Sequence, residues 1–414
     1  MSHPECNSDV TRTIAVVLSQ ERAQRELIRG DLVRAFIEVP NWNSHNLEDN
    51  NAVSEEGSKS TALVQQALFR SIYDVSALPE FAAKYTSASS ELVSACIDAL
   101  RDVSNLSQTM EPATTIPAAS ACIVLANLTT STDFALLLVQ SRKVHLSVGG
   151  LLRQRDDPTT LFPAIALLDR LAIPQENKLA IVQAGVVHEL PRFLIGFDVQ
   201  PVIQREAVSL MRKLIVGFPD HVSEIGACMT IIREKNGNGH SLDQSTKQSG
   251  LLAALSLFRR TSDAQIKIET GRLVVEICRT LFRMTKGNPD IAEVVVREAF
   301  GNASDIAHPI KYLVCNGTSQ EVRGEGWFGL AVLSIWKYGR TFVMDCLGNK
   351  DVQSEMEETL EGGERASRQN ITLMLAQLHL FPSRFVQTST SIVLERAAHS
   401  VGLPPIWPVM ASAA

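Results

Sequence analysis

Apolar residues along most of this chain recur at spacings of three and four positions, which is the pattern of helices that bury one face. The run LLDRLAIPQENKLAIVQAGVVHELPRFL, at residues 167–194, predicts three short helices separated by Pro174 and Gly185. Proline interrupts the helical hydrogen-bond ladder, and glycine adopts the left-handed conformation that follows many helices. Segments that alternate with period two are scarce, so the pattern predicts an all-helical chain.

Similar helices recur at a fixed distance along the sequence. Leu128, Leu171 and Leu214 each close one of them, and successive members are 43 residues apart. A period near this value, with three helices per unit, is typical of armadillo and HEAT repeats. The fold class predicted is therefore an all-α, right-handed α-solenoid of armadillo (ARM/HEAT-like) repeats, in which each unit packs on its neighbours.

The same pattern continues towards the C-terminus with one interruption. The next such helix ends at Leu281, and the additional spacing corresponds to a polar stretch at residues 235–250, KNGNGHSLDQSTKQSG, which we predict to be a flexible loop. Further helices end at Ile335 and, 43 residues later, at Leu378. The repeats are therefore expected to extend over most of the chain.

The sequence outside the repeats suggests four segments. We expect an N-terminal helical segment at 1–40, an acidic disordered loop at 41–61, the solenoid at 62–403 and a C-terminal tail at 404–414. The loop is polar and acidic, and prolines prevent the tail from forming a regular helix.

Composition and charge narrow the partners. Hydrophobic residues make up 45% of the chain and aromatic residues only 6%, which suits helices packed on helices. The net charge of −6 argues against nucleic-acid binding, which usually needs a basic face. The charge-free stretch at residues 112–132 contains prolines and many hydroxyl residues, so it predicts a buried helix after a loop and no stable membrane insertion.

The N-terminus has no secretory signal pattern, so we expect a cytoplasmic protein. The 7 cysteines are far apart and none forms a C-x-x-C motif, which indicates reduced thiols in the core. Motifs for a phosphate loop, a zinc protease or a serine hydrolase are absent from the sequence. We therefore predict no cofactor, no metal site and no catalytic residues.

A row of polar positions precedes the last core leucine of four successive repeats. It consists of Asn127, Arg170, Lys213 and Thr280. In a solenoid, the third helix of each unit lines the concave face, which is the natural binding surface. We expect the row to contact a ligand, and the alternative interpretation is a solvated polar face.

Several runs resemble the SmgGDS family of armadillo proteins. LAIPQENKLAIVQAGVVHELPRFL, followed by PVIQREAVSLMRKLI, is similar to the family's L-A-I-P-x-x-N-K run, its A-G-V and its L-x-x-L-R-M-L-I helix. ASACIVLANLTTSTD, ETGRLVVEICRTL and EVRGEGWFGLAVLSI resemble three other family helices. The likeness covers roughly residues 117–334, in consistent order.

The resemblance implies a guanine-nucleotide exchange factor and chaperone for Rho- and Ras-type small GTPases with polybasic, prenylated tails. It implies GTPase binding on the concave surface of the C-terminal repeats, release of GDP and an opening that accepts the prenyl group. Among the family's binding positions, Arg272 and Glu325 are retained, whereas Gly271 and Gly324 stand where the family has asparagine. The residues expected to bind a GTPase are Asn127, Arg170, Lys213, Arg272, Thr280 and Glu325.

Two alternatives remain at this point. One is a general armadillo adaptor without exchange activity, although the repeated W-x-x-x-N array of importin-type surfaces is lacking: Trp327, Trp336 and Trp407 have no asparagine four residues on. The other is an enzyme whose site is assembled from distant residues, which short motifs do not reveal.

Overall fold

The computed structural model describes residues 20–30, 70–87, 90–104, 116–196, 200–217, 230–232, 246–248, 250–285 and 306–379, together with positions 13, 16, 17 and 300. The chain divides into two compact units, Met1–Glu189 and Leu190–Ala414. Several predicted segments fall largely or wholly outside the described residues: most of 1–40, all of 41–61, most of 235–250 and all of 404–414. The boundaries given for them stay predictions.

The first unit is helical throughout its described part. Its helices are α1 (Glu21–Arg29), α2 (Pro79–Tyr85), α3 (Glu91–Ser104), α4 (Ile116–Leu128), α5 (Thr132–Leu136), a π-helix (Leu137–Ser141), α6 (Val144–Gln154), α7 (Pro158–Leu171) and α8 (Gln175–Gln183). The boundary between the units lies within α9 (Val186–Gly196).

The second unit contains the remaining helices and a short ribbon. The helices are α10 (Pro201–Ile215), α11 (Gly250–Arg260), α12 (Ala264–Thr285), α13 (Ala307–Asn316), α14 (Gln320–Ile335), α15 (Lys337–Leu347), α16 (Lys350–Gly362) and α17 (Arg365–His379). Strands β1 (Thr230–Ile232) and β2 (Thr246–Gln248) pair antiparallel, with Ile231 opposite Lys247. The scarcity of strand signals did not predict this ribbon.

The helices that carry the repeat pattern pack against one another. In the first unit α4 packs against α7, and in the second α10 packs against α12, α12 against α14 and α14 against α17. The four leucines that define the period, Leu128, Leu171, Leu214 and Leu281, are all fully buried. Ser334 on α14 donates a hydrogen bond to Gln377 on α17, 43 residues further on, over 2.5 Å. The leucines identified by their spacing therefore belong to the core.

The turns predicted around α8 are present. Gly185 has a φ of +78° and follows α8, as a left-handed residue at a helix end requires. Pro174 lies between α7 and α8 and is the N-terminal flanking residue of α8.

A buried asparagine joins two helix ends in the first unit. The side-chain amide of Asn177, on α8, donates to the carbonyl oxygens of Ala135 and Leu171, each over 3.0 Å. Asn177 is fully buried. Because a buried carbonyl without a partner is costly, this amide fixes the position of α8 against the end of α7 and against α5.

Glycines allow α13 to approach its neighbours closely in the second unit. A Cβ added to Gly271 on α12 would lie 2.6 Å from Leu313 Cγ and 2.7 Å from the carbonyl oxygen of Pro309, both on α13. A Cβ at Gly326 on α14 would lie 2.8 Å from Val314. Only residues without a side chain permit this separation of the helix backbones.

The described cysteines are consistent with the core thiols that the sequence predicts. Cys96, Cys122, Cys278 and Cys346 are buried, Cys315 is half-buried, and all five are free. Burial raises the pKa of the Cys96, Cys122 and Cys278 thiols, and it raises that of Cys346 to about 12.

Thiol labelling at pH 8 should follow this burial. We expect Cys96, Cys122 and Cys278 to be alkylated at least about tenfold more slowly than Cys315, because a fully buried thiol reacts only when local opening exposes it and allows it to ionise. Mass spectrometry of peptides from the native protein, labelled for increasing times, measures the rates. Equal rates at Cys278 and Cys315 would contradict the packing of α12, and labelling in urea provides the unprotected reference.

Candidate protein-binding surface

The six residues expected to bind a partner are divided between the two units. In the first unit Asn127 lies near the end of α4 and Arg170 near the end of α7. In the second unit Lys213 lies on α10, Arg272 and Thr280 on α12, and Glu325 on α14. The two units are therefore considered separately.

Of the two expected binding residues in the first unit, Arg170 is exposed and Asn127 is half-buried. The side chain of Arg170 forms no hydrogen bond or ion pair with the described residues, whereas Asp169 beside it is buried. Asn127 is half-buried, and its amide donates over 2.7 Å to the hydroxyl of Ser76, which in turn donates to the carbonyl oxygen of Tyr73. Asn127 therefore has a structural partner within its own unit, and Arg170 has the more accessible side chain.

In the second unit, four charged residues form a continuous set of ion pairs across three helices. Arg212 on α10 donates to Glu269 on α12 over 3.1 Å, and Glu269 also accepts from Arg272, one turn along the same helix, over 3.4 Å. Arg272 donates through Nε to Glu325 on α14 over 2.8 Å. We call Arg212, Glu269, Arg272 and Glu325 the charge ladder.

The charge ladder brings together Arg272 and Glu325, which the sequence places 53 residues apart. Arg212 and Glu269 are members that sequence reasoning missed. The three-residue spacing of Glu269 and Arg272 was the one local sign, since it places both on the same face of a helix. The partners on α10 and α14 depend on how the helices pack, which the sequence does not show directly.

The charges in the ladder are balanced and partly exposed. Side-chain exposure is 26% for Arg212, 15% for Glu269, 24% for Arg272 and 28% for Glu325. Burial opposes ionisation of Arg272, but Glu325 and Glu269 outweigh it and raise the pKa of the guanidinium. Pairs exposed to this degree contribute about 1 kcal/mol or less each. The ladder is therefore weak enough for a partner to rearrange.

The position of Thr280 corrects the expected row. Thr280 is 2% exposed, and its hydroxyl has no hydrogen-bond partner, so the expectation that it lies on the surface is wrong. The contact opposite Arg212 on α10 is Glu269, and Thr280 lies 11 residues beyond Glu269, or about 16 Å along the helix. Lys213, next to Arg212, is half-buried.

The error in Thr280 comes from the length of α12. This helix has 22 residues, whereas α10 has 15, so more than one leucine on α12 could be matched to the closing leucine of α10. The leucine spacing pairs Leu214 on α10 with Leu281 on α12. This pairing is shifted by more than two helical turns from the register that the contact between Arg212 and Glu269 defines. Side-chain contacts, and not leucine spacing, define the equivalent positions here.

A second charged group lies between the ladder and Thr280. Glu276 on α12 is 5% exposed, and one of its carboxylate oxygens accepts from Arg279 over 2.6 Å while the other has no partner. The guanidinium of Arg279 also lies 4.9 Å from the ring centre of Phe328 on α14, within the range of a cation–π contact. This group holds α12 and α14 together beyond the ladder.

The two glycines that replace family asparagines have different surroundings. Gly271 is buried and faces α13, so it does not lie on an exposed binding surface. A Cβ at Gly324 would meet the Ser367 hydroxyl at 2.9 Å, between α14 and α17. Gly271, where the family has an asparagine, therefore has a packing role between α12 and α13.

The described residues contain neither a metal site nor a membrane-crossing helix. Among the described residues, no group of histidine, cysteine and acidic side chains is arranged to hold a metal ion. None of the described helices combines the length and the apolar character needed to cross a bilayer.

Comparison with known proteins places this geometry in a fold. No family model matches the chain, and no curated protein matches it. An engineered protein solved by a structural-genomics consortium aligns with a TM-score of 0.57 and 16% identity, over 97% of this chain and 96% of that one. A structure reported with a phosphorylation switch in the interaction of cadherin and β-catenin aligns with a TM-score of 0.54 and 10% identity, over 91% of this chain and 76% of that one. A designed armadillo repeat protein aligns with a TM-score of 0.49 and 13% identity, over 70% of this chain and 100% of that one.

The chain is an all-α solenoid of armadillo repeats, and the predicted fold class is confirmed. At these identities the similarity concerns the fold alone. The armadillo fold suggests protein–protein interaction, since its stacked third helices present an extended surface.

Proposed function

We propose that this chain binds Rho- and Ras-type small GTPases with polybasic, prenylated tails and promotes the release of GDP. The observation that carries the proposal is the contact between Arg272 and Glu325, the two retained family positions, which are 2.8 Å apart on neighbouring third helices. The ordered resemblance of four sequence runs to SmgGDS proteins supports it as well.

The charge ladder is suited to contact with a protein surface. Arg272 uses its Nε and one terminal nitrogen within the ladder, so further N–H donors are available to a partner. A partner surface that carries both acidic and basic side chains can replace the ion pairs within the charge ladder by ion pairs to itself. The cost in free energy is small because the internal pairs are weak. Such a protein needs no catalytic residue of its own, since release of GDP would follow from the binding of one conformation of the GTPase.

Exchange of labelled GDP tests the proposal. We expect the protein to accelerate the release of fluorescent GDP from at least one purified Rho- or Ras-type GTPase, and we expect Arg272→Ala to reduce this acceleration about tenfold, equivalent to 1.4 kcal/mol of binding. The double variant Arg272→Glu with Glu325→Arg keeps an ion pair but reverses it, so it should stay folded and still lose activity. Arg365→Ala, which removes an exposed arginine on α17, is the matched control.

Two results would overturn the proposal. One is the absence of both binding and acceleration across prenylated and unprenylated members of the GTPase panel. The other is an equal loss of activity in the Arg272 and Arg365 variants, which would indicate a general effect of charge.

A protein-binding adaptor without exchange activity is the second candidate. The observation that favours it is the burial of Gly271 against α13, because this position, at which the family has a binding-surface asparagine, does not lie on the surface here. Saturable binding of a GTPase that leaves its GDP release rate unchanged would support the adaptor and count against exchange.

A further inference from the structure

A small cavity opens between α14, α16 and the start of α17, away from the charge ladder. Its volume is about 130 Å³, and its lining includes Arg323, Trp327, Glu355, Glu358, Glu364 and Ser367. At about 30 Å³ per water molecule, it holds the equivalent of about four waters. All of these residues belong to the second unit.

The walls of the cavity are held by internal contacts. Arg323 donates to the carbonyl oxygen of Gly317 over 3.0 Å and pairs with Glu355 over 3.0 Å. The indole N–H of Trp327 donates to the Thr359 hydroxyl over 3.3 Å. These contacts fix one side of the cavity before any partner arrives, which lowers the ordering cost of binding.

Three other groups in the cavity lack a partner. Ser367 is 5% exposed, yet its hydroxyl lines the cavity and forms no hydrogen bond with any described residue. Glu358 and Glu364 are exposed at the rim, and neither forms an ion pair within the described parts of the chain. The Ser367 hydroxyl, which has no partner among the described residues, is therefore available to a polar group that enters the cavity.

The charges around the cavity determine whether it favours a positively or a negatively charged group. Arg323 offsets Glu355, and the N-termini of α14 and α17 contribute about half a positive charge each. Glu358 and Glu364 exceed this contribution, so the cavity retains roughly one negative charge. Burial, opposed by Arg323 and assisted by Glu358, raises the pKa of Glu355.

We propose that this cavity binds an arginine side chain of a protein partner, with the guanidinium paired to Glu358 and Glu364 and donating to the Ser367 hydroxyl. A guanidinium has five N–H donors in a planar fork, which can bond two carboxylates and a hydroxyl at once. It is also weakly hydrated, so its transfer from water costs less than that of an ammonium group. The inference rests on the proposed protein-binding role and adds a specific contact to it.

Peptide binding to the full chain tests the proposal directly. The probe is a fluorescein-labelled, acetylated and amidated Gly-Arg-Gly-Arg-Gly peptide, and the comparison is the same peptide with citrulline in place of arginine, which keeps the shape and removes the charge. Fluorescence anisotropy at about 0.15 M salt limits non-specific attraction. We expect the citrulline peptide to bind at least about tenfold more weakly, and Glu358→Gln with Glu364→Gln to weaken the arginine peptide by a similar factor.

The matched control also removes two negative charges, both from positions on α16 outside the cavity. Glu357 and Glu361 are exposed on α16 and do not line the cavity, so Glu357→Gln with Glu361→Gln should leave affinity within about twofold. Equal binding of the two peptides, or equal effects of the two double variants, would overturn the proposal. The peptide assay contains no GTPase, so a failure of the peptide to bind leaves the GDP-release proposal intact. Absence of GDP release likewise leaves the binding of arginine in this cavity intact.

Discussion

Replacing Asn177 with alanine is expected to lower the free energy of unfolding by about 3 kcal/mol. The side-chain amide of Asn177 donates to the carbonyl oxygens of Ala135 and Leu171, each over 3.0 Å, in a fully buried position. Removing the amide takes the donor away from two buried carbonyl oxygens, and the loss at each costs about 1.5 kcal/mol, within the range for an unsatisfied buried group. The contact joins α8 to α7 and to α5, so the loss affects the packing between successive repeats.

Urea unfolding followed by circular dichroism measures the change, and hydrogen exchange of the α7 and α8 amides gives a local measurement. The local measurement is needed because repeats in a solenoid interact mainly with their neighbours and can open separately. Gln183→Ala, at an exposed position at the end of the same helix, is the control and should change stability by less than about 0.5 kcal/mol. Equal stability of the two variants would contradict the buried contacts of Asn177.

Replacing Gly271 with alanine should lower the free energy of unfolding by about 2 kcal/mol. The new Cβ would lie 2.7 Å from the backbone carbonyl of Pro309, which cannot move aside without shifting α13. Overpacking of this kind costs up to about 3 kcal/mol. The better helix propensity of alanine returns about 1 kcal/mol.

The control for this variant is Gly362→Ala at the end of α16, where a Cβ would have no atom within 4 Å. It brings the same gain in helix propensity without a clash, so stability should stay unchanged or rise by up to about 1 kcal/mol. Equal urea midpoints for the two variants would show that α12 and α13 are further apart in solution. Faster hydrogen exchange in α12 and α13 in the Gly271 variant alone would locate the strain.

The position of Asn177 explains part of the sequence resemblance to the SmgGDS family. Asn177 belongs to LAIPQENK, the run most similar to the SmgGDS family, and the structure gives it a buried role between helices. The similarity of this run therefore follows from how repeats pack and does not by itself indicate a partner. Arg272 and Glu325 are the retained positions that reach the surface, and for that reason the functional proposal depends on them.

The candidate site was only partly predictable from the sequence. Arg272 and Glu325 were identified by resemblance, but their mutual contact and the participation of Arg212 and Glu269 were not. Thr280 was assigned to the surface because leucine spacing was carried across the inserted stretch before α11. Such spacing defines the buried side of a helix, but it does not fix how far one helix is shifted along another after an insertion.

The amino-acid sequence by itself determined the helical repeat, the buried leucines and the glycine turn after α8. These depend on local periodicity and on the backbone freedom of single residues, which act over a few turns of chain. Only the tertiary structure decided which charged residues meet, that Gly271 faces a neighbouring helix and that α14, α16 and α17 enclose a negatively charged cavity. These features depend on the register and separation of neighbouring helices, several of which are far apart in sequence. Packing of the whole surface sets both quantities, so no single stretch of sequence encodes them.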